Sequence, residues 1–468
     1  MHKSEYEVND EDNKDKDKDN YSTRFIGILQ TNQKKININI APYSPDTNNT
    51  VLVSVYGNWY RQLREADAFM HSRARPQLLS AIIPTITLTN GNRSSLPRPA
   101  MIENEHAPFM TKEITDYIQK TNVTHCLKYA AKNIRGRNVN VHIMHCGGNS
   151  AGKSNGATDA NDVRRGISLR CIARYKSYVY KIYAWFYFIQ PYVAEDRTCS
   201  KTIDLYFYFT PFKKRLPQTA GHTLGPANAN TGFTHSCVSN PKPGGKTRTE
   251  IIIFRHEEWF KVLLHETLHN LNLDLGHAAT SLRDIFPGIR HDILLSEAYV
   301  ETWARLLNLA FYTFYDIYGG NGTASEYNTA IGRCLYSERV FSLFQADKTL
   351  KYMGLSLLDV LDTDRAAASA VAGKYRENTN IFAYYVLAGM MVFAADTFVE
   401  WCVQTNEFSL IQTCATSGAS FKKLIGSVTG NERIKDAIEK IAVLHNAMNG
   451  NENEADASES TMQMTLWH

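Results

Sequence analysis

No two cysteines in this chain form a C-x-x-C pair. The eight present (Cys126, Cys146, Cys171, Cys199, Cys237, Cys334, Cys402 and Cys414) are scattered singly through 468 residues. That spacing offers no disulfide framework and predicts free thiols in a reducing, cytoplasmic or other intracellular compartment. Long apolar runs are also missing. The longest, Ile381 to Ala395, is interrupted by Tyr384, Tyr385 and Gly389 and stops at Asp396. It is too short to span a bilayer and predicts a buried helix. Met1 to Asn20 is too polar for a secretory signal, so Asn-x-Ser/Thr sites such as Asn92 and Asn321 carry little meaning. Nor does one sign of charge dominate, the formal net being +4. Residues 1–20 and 449–468 each carry a net −4, which leaves a body near +12 between them. A basic body of that size can meet nucleic acid or a phospholipid surface, but no motif supports either partner.

What is present is ordinary for a soluble globular protein: 43% apolar, 21% charged and 11% aromatic residues, enough for a large core and two or three domains. Residues 1–20 and 449–468 read as disordered acidic tails, with Leu466-Trp467 an odd apolar pair able to dock. Residues 21–110 read as β-rich. Ile36, Ile38 and Ile40 alternate with polar residues there, and Val51 to Tyr56 is rich in β-branched residues. Pro97, Pro99 and Pro108 mark a boundary. A helix is expected over Thr111 to Lys132, a strand over Val139 to His145 and a loop over Cys146 to Asp162. A long aromatic helix follows over Ile167 to Ile189, then a strand over Thr202 to Phe209. Lys213 to Arg215 reads as a solvated basic turn, and Pro217 to Thr249 as a long loop. After a short strand at Ile251 to Phe254 the pattern is helical to about Ala447. Strands first and helices second predict an α+β class, with a mixed sheet and a motif-bearing helix in residues 111–273 and a helical subdomain in 274–448.

The chemistry concentrates in Glu257-Glu-Trp-Phe-Lys-Val-Leu-Leu-His-Glu-Thr-Leu-His-Asn270. On a helix His265 and His269 share one face, one turn apart, which suits two corners of a zinc tetrahedron. Glu266 can reach a water at the metal and take its proton. A Gly-x-x-His continuation is excluded, because Asn272 and Leu275 occupy those positions. The next helix instead carries Glu297 and Glu301, four apart on a segment with Leu295, Ala298, Val300 and Ala304. Two carboxylates on an apolar face are costly to bury unless positive charge offsets them. Glu297 is therefore expected to be the third metal ligand. Glu301 is expected to hold the free ring N–H of a ligating histidine.

His265-Glu266-x-x-His269 with Ser-Glu297-Ala-Tyr-Val-Glu301 resembles the gluzincins, the thermolysin-like and aminopeptidase-like zinc peptidases. The resemblance covers about Glu250 to Arg305. It implies a zincin-like fold, one zinc ion per chain, a peptide or protein substrate and an edge strand at Glu250 to Phe254 that pairs with it. The connection from His269 to Glu297, with Pro287-Gly288 inside it, is longer than in thermolysin-like enzymes. The family's oxyanion-stabilising residue has four candidates here: Tyr384, Tyr385, His291 and Tyr299. More diffusely, the chain resembles metallopeptidases of large DNA viruses, which implies packaging in a virus particle. A structural or assembly protein that retains a zincin fold without catalysis is the alternative expectation.

A second motif competes. Gly147-Gly-Asn-Ser-Ala-Gly-Lys153-Ser154 fits the phosphate-binding pattern G-x-x-x-x-G-K-S after a strand. Asn-Gly-Ala-Thr-Asp-Ala-Asn-Asp follows it where an apolar helix is required, so a glycine loop is expected there. His142, His145 and Cys146 lack a second cluster to complete a metal site and are expected to be structural.

Overall fold

Val51 to Tyr56 has the local composition of a strand, yet it opens a 21-residue helix in this computed structural model. The structure describes residues 20–36, 50–72, 80–88, 99–100, 109–120, 123–146, 167–193, 200–219, 221–235, 248–276, 279–406, 410–411, 417–449 and 460–468. Residues 1–19, Ile38, Ile40 and the Gly147 to Ser154 motif lie outside them, so the expectations made there do too. Within the described part, residues 21–110 are mainly helical, which corrects the β-rich expectation. Helix α1 spans Asn20–Ile36 and α2 spans Thr50–Met70. The reason is periodicity over a longer window. Leu52, Val55, Tyr56, Trp59, Leu63, Ala66 and Met70 recur every three or four residues and are all buried. A 3.6-residue repeat kept over twenty positions outweighs a local β preference.

The expected helix over Thr111 to Lys132 is also corrected. Helix α3 covers only Lys112–Lys120, and strand β2 runs from Val123 to Ile134. Strand β2 and strand β3, Arg137–Cys146, form a hairpin whose turn holds Arg135 and Gly136 at φ 43° and 90°. Such left-handed pairs match the twist of the strands they join.

The sheet has six strands. Besides β2 and β3 it contains β1, Thr85–Leu88; β4, Thr202–Thr210; β5, Gly232–Thr234; and β6, Arg248–Arg255. Their order is β1-β2-β3-β4-β6-β5. Pairs β3/β4 and β4/β6 are parallel and the rest antiparallel, which makes the sheet mixed. The strand at Ile251 to Phe254 therefore has neighbours on both sides. The edge is β5, within the stretch expected to be all loop, and this corrects the sequence reading. Helix α4, Leu169–Ile189, packs with Leu127, Val141, Leu205 and Ile253 on one face of the sheet. On the other face Cys126, Met144, Tyr206, Ile252 and Phe254 meet Met110 and Ile114.

The helical half follows. Helix α5 is the short Pro226–Ala229, α6 is Trp259–Asn270 and α7 is Leu295–Phe311. A two-stranded ribbon, β7 at Ala279–Thr280 and β8 at Ile293–Leu294, closes the connection between α6 and α7. Every residue of α7 except Glu297 is buried, as expected of a helix at the centre of a core. Helix α2 backs it, with Trp59 edge-on to Trp303 at 6.2 Å. Beyond α7 run α8, Ala324–Tyr352; α9, Leu357–Leu361; and α10, Arg365–Lys374. A π-helical turn, Phe382–Leu387, leads into α11, Ala388–Phe393. Helices α12, Ala395–Thr405; α13, Ser417–Thr429; and α14, Glu432–Asn449, complete this half. Among the described residues no single helix is long and apolar enough to cross a membrane. The α+β class with a helical second half is as expected.

Residues 460–468 correct the expectation of a disordered tail over 449–468. Met462, Met464 and Leu466 are fully buried, and Trp467 packs on Tyr312 with ring centroids 5.1 Å apart. The alternation of apolar residues suits an extended strap. Its peptide groups are satisfied by side chains: Glu258 accepts from the N–H groups of Met464 and Thr465, and Glu338 from that of Leu466. Asn308 donates to the Trp467 carbonyl at 2.6 Å. Buried peptide groups need such partners.

Candidate metal centre

Strand β6 passes into α6 through Glu258, whose φ of 53° turns the chain sharply. Helix α6 then carries His265 and His269 on one face with ring centroids 4.9 Å apart. Each ring is held from behind by a carboxylate. His265 Nδ1 lies 3.0 Å from Glu301 Oε2, and His269 Nδ1 lies 2.7 Å from Asp274 Oδ2. A proton on each Nδ1, donated to its carboxylate, leaves the Nε2 lone pairs facing forward. Both Nε2 atoms face the same oxygen, Glu297 Oε2, at 3.3 and 3.2 Å. One ligand atom from each of His265, His269 and Glu297 lies within 4.8 Å of the others. Two imidazole nitrogens and a carboxylate oxygen converging in this way form a donor set that suits zinc with a fourth position left open. Burial leaves the Glu297 side chain 16% exposed, against 8% and 9% for the two histidines.

The surrounding carboxylates favour positive charge on the two imidazoles. Burial opposes protonation of His265, but Glu297 and Glu301 outweigh it and raise the imidazole above its ordinary range. His269 is raised further: burial again opposes, and Glu297 with Asp274 prevails. Glu297 is held well below the carboxylate range, with burial overcome by the two imidazoles. Glu266 goes the other way. Burial pushes its carboxyl up, partly relieved by His265 and His269. A carboxylate with heightened proton affinity has the chemistry of a general base.

Behind the ligands stands a second layer that the sequence reading missed. Lys261 Nζ reaches Glu301 Oε1 and Oε2 at 3.0 and 3.1 Å, and Arg305 Nε reaches Oε1 at 2.9 Å. Burial would raise Glu301, and these two cations bring it well below its ordinary range. Lys261 is one turn before His265 and Arg305 one turn after Glu301, so helical spacing already carried that signal. Asp274 lies in the turn after α6, where its Oδ1 accepts the Gly276 N–H at 2.9 Å. Asn270, next to His269, joins α6 to the sheet edge. Its Nδ2 donates to Thr234 Oγ1 at 2.9 Å, and its Oδ1 accepts from Ser200 and Thr249. Lys214, read as part of a solvated turn, is fully buried against Glu258, a further correction.

Of the four oxyanion candidates, one reaches the site. The Tyr384 ring lies edge-on to His265 with centroids 5.9 Å apart. Burial, then Glu297, pushes its phenol well above the usual range. The other three point elsewhere. Tyr385 donates to the Met462 carbonyl, Tyr299 to the Ile411 carbonyl at 2.7 Å, and His291 pairs with Glu377.

No protein-family model, curated protein or solved structure matches this chain. Among the described residues, His265, His269 and Glu297 are the group with metal-binding geometry. His142 stacks on Tyr206 and His145 meets the Tyr175 hydroxyl at 3.0 Å.

Proposed function

We propose that this chain is a zinc-dependent peptidase with one zinc ion held by His265, His269 and Glu297. The observation that carries the proposal is the convergence of both Nε2 atoms on Glu297 Oε2, with a carboxylate behind each ring and Glu266 beside them. Zinc, when bound, supplies a Lewis acid that polarises the scissile carbonyl and lowers the pKa of water.

The remaining work falls to the chain itself. Glu266 takes the proton of the attacking water and returns it to the leaving amine. The Tyr384 phenol stays protonated at neutral pH and donates a hydrogen bond to the charge that develops on the carbonyl oxygen. Strand β5, a short edge anchored to α6 through Thr234 and Asn270, offers backbone groups to an extended substrate.

Metal analysis and cleavage of a peptide library test the proposal together. The expected result is about one zinc per chain and chelator-sensitive cleavage that disappears in Glu266→Ala while zinc stays bound. A zinc-loaded wild-type protein that cleaves no library member overturns the peptidase and favours a scaffold or virion-assembly role.

A further inference from the structure

Arg305 is buried to 1% exposure, deep inside α7, and its guanidinium has three described partners on three separate elements. Nε donates to Glu301 Oε1 at 2.9 Å, one turn back on the same helix. Nη1 donates to Ser342 Oγ of α8 at 3.1 Å, and Nη2 to the Tyr384 carbonyl at 2.7 Å. The first partner holds His265; the last belongs to the residue that lies edge-on to the same imidazole.

Charge alone does not explain the arrangement. Glu301 already has a counter-ion in Lys261, whose ammonium reaches both carboxylate oxygens. A second buried cation on the same acid is expensive to desolvate unless its donors are spent on something else. A guanidinium differs from an ammonium in presenting N–H groups in a fixed planar fork, so it sets angles between its partners. The partner at the far side of this fork sits in the π-helical turn Phe382–Leu387. Such turns shift side-chain register relative to an α-helix and so re-aim their residues. Here Tyr384 is turned toward His265, while its neighbour Tyr385 is turned to the Met462 carbonyl. One carbonyl of this turn, that of Tyr384, accepts from the Arg305 guanidinium.

We propose that Arg305 is a positioning residue that locks the Tyr384 turn to helix α7, which carries Glu297 and Glu301, and so fixes the placement of the Tyr384 ring beside His265. The inference rests on the peptidase reading and deepens it. Both cations neutralise Glu301, but of the two only Arg305 also holds the Tyr384 carbonyl. Lys261 neutralises Glu301 and so maintains the His265 ligand. Arg305 maintains the alignment of Tyr384.

The test compares Arg305→Lys, Lys261→Met, Tyr384→Phe and the double variant Arg305→Lys/Tyr384→Phe in the full chain. Zinc affinity is read by chelator competition, ligand geometry by the visible spectrum of the cobalt(II)-substituted protein, and catalysis by separate kcat and KM values. Arg305→Lys is expected to keep zinc affinity and the cobalt spectrum, and to lose about tenfold in kcat with little change in KM. Tyr384→Phe is expected to lose about 100-fold. The double variant is expected to be no worse than Tyr384→Phe, because a positioning residue has nothing left to position. Lys261→Met is expected to change the cobalt spectrum. Multiplying losses in the double variant, or an unchanged kcat in Arg305→Lys, overturns the inference alone. A wild-type zinc protein without cleavage overturns the peptidase reading and this inference with it. Should Arg305→Lys fail to fold, Ser342→Ala removes another anchor of the same guanidinium and keeps its charge. Its expected result is a several-fold fall in kcat at unchanged zinc affinity, and an unchanged kcat overturns the inference.

Discussion

Asp274 Oδ2 lies 2.7 Å from His269 Nδ1, so the second histidine has its own carboxylate just as His265 has Glu301. The two acids come from different places, one from the turn after α6 and one from α7. Together they aim both rings at one point.

If the site takes zinc as proposed, that relationship would make Asp274 a determinant of metal affinity. Asp274→Ala is expected to weaken zinc binding by about 10- to 100-fold, the usual effect of removing an acid behind a ligating histidine. Competition with a calibrated chelator measures it. An affinity equal to wild type would show that the ring needs no such support.

On the proposed reading Glu266 takes part in proton transfer and does not ligate the metal. Glu266→Gln removes the base while nearly keeping its volume. Its kcat is expected to fall by about 1,000-fold, with metal content and melting temperature close to wild type. Loss of zinc together with activity would instead assign Glu266 to the metal.

Metal removal should be visible as lost stability. At free zinc about 1,000 times Kd, binding to the native state alone adds about 4 kcal/mol. Thermal melts with and without chelator are expected to differ accordingly. Glu297→Ala is expected to melt at the same temperature in both, since a site short of one ligand gives zinc little hold.

Glu338 predicts a pH effect of its own. Burial pushes its carboxyl up to about 7 despite Arg305 and the Leu466 N–H. Between about 4.5, its ordinary value, and about 7 the native chain keeps a proton that the unfolded chain has lost. Stability therefore falls as pH rises through that window, by about 3 kcal/mol, and the loss is complete above it. Glu338→Gln removes this dependence. The variant is expected to gain on wild type in urea midpoint at pH 8 and to lose that gain at pH 4, as paired denaturation curves would show.

The strap at residues 460–468 is testable by truncating one side chain. Leu466→Ala is expected to destabilise by about 2–5 kcal/mol, the range for a buried leucine. A solvated tail would respond by less than about 0.5 kcal/mol. Urea unfolding separates the two outcomes.

Much of the site was legible because helical spacing is local information. Four-residue intervals place His265 with His269 and Glu297 with Glu301, and the structure brings these two pairs together. The same interval would have exposed Lys261 and Arg305, had the helices been read for cations as well as for ligands. Asp274 and Tyr384 are different. One depends on a turn and the other on a π-wound segment that returns to α6 after more than a hundred residues, and neither leaves a periodic trace. In the fold, β3, β4, α4 and β6 follow their local patterns. Helix α2 does not, because its β-branched start belongs to a longer helical repeat whose weight shows only over the whole 21 residues. Strand β2 was hidden by a hairpin turn at Arg135-Gly136, a pair easily passed over as helix surface.

The strap also has a consequence for synthesis. A ribosome that has translated as far as residue 449 has already made His265, His269, Glu297 and every helix around them. Glu258 and Glu338 would at that moment lack the backbone N–H groups that they hold in the finished interior. The nascent chain would thus carry all its ligands over an interior not yet closed. On the proposed reading, residues 460–468 would close that interior from behind, with Met464 Sδ 3.4 Å from the Lys261 ammonium that holds Glu301.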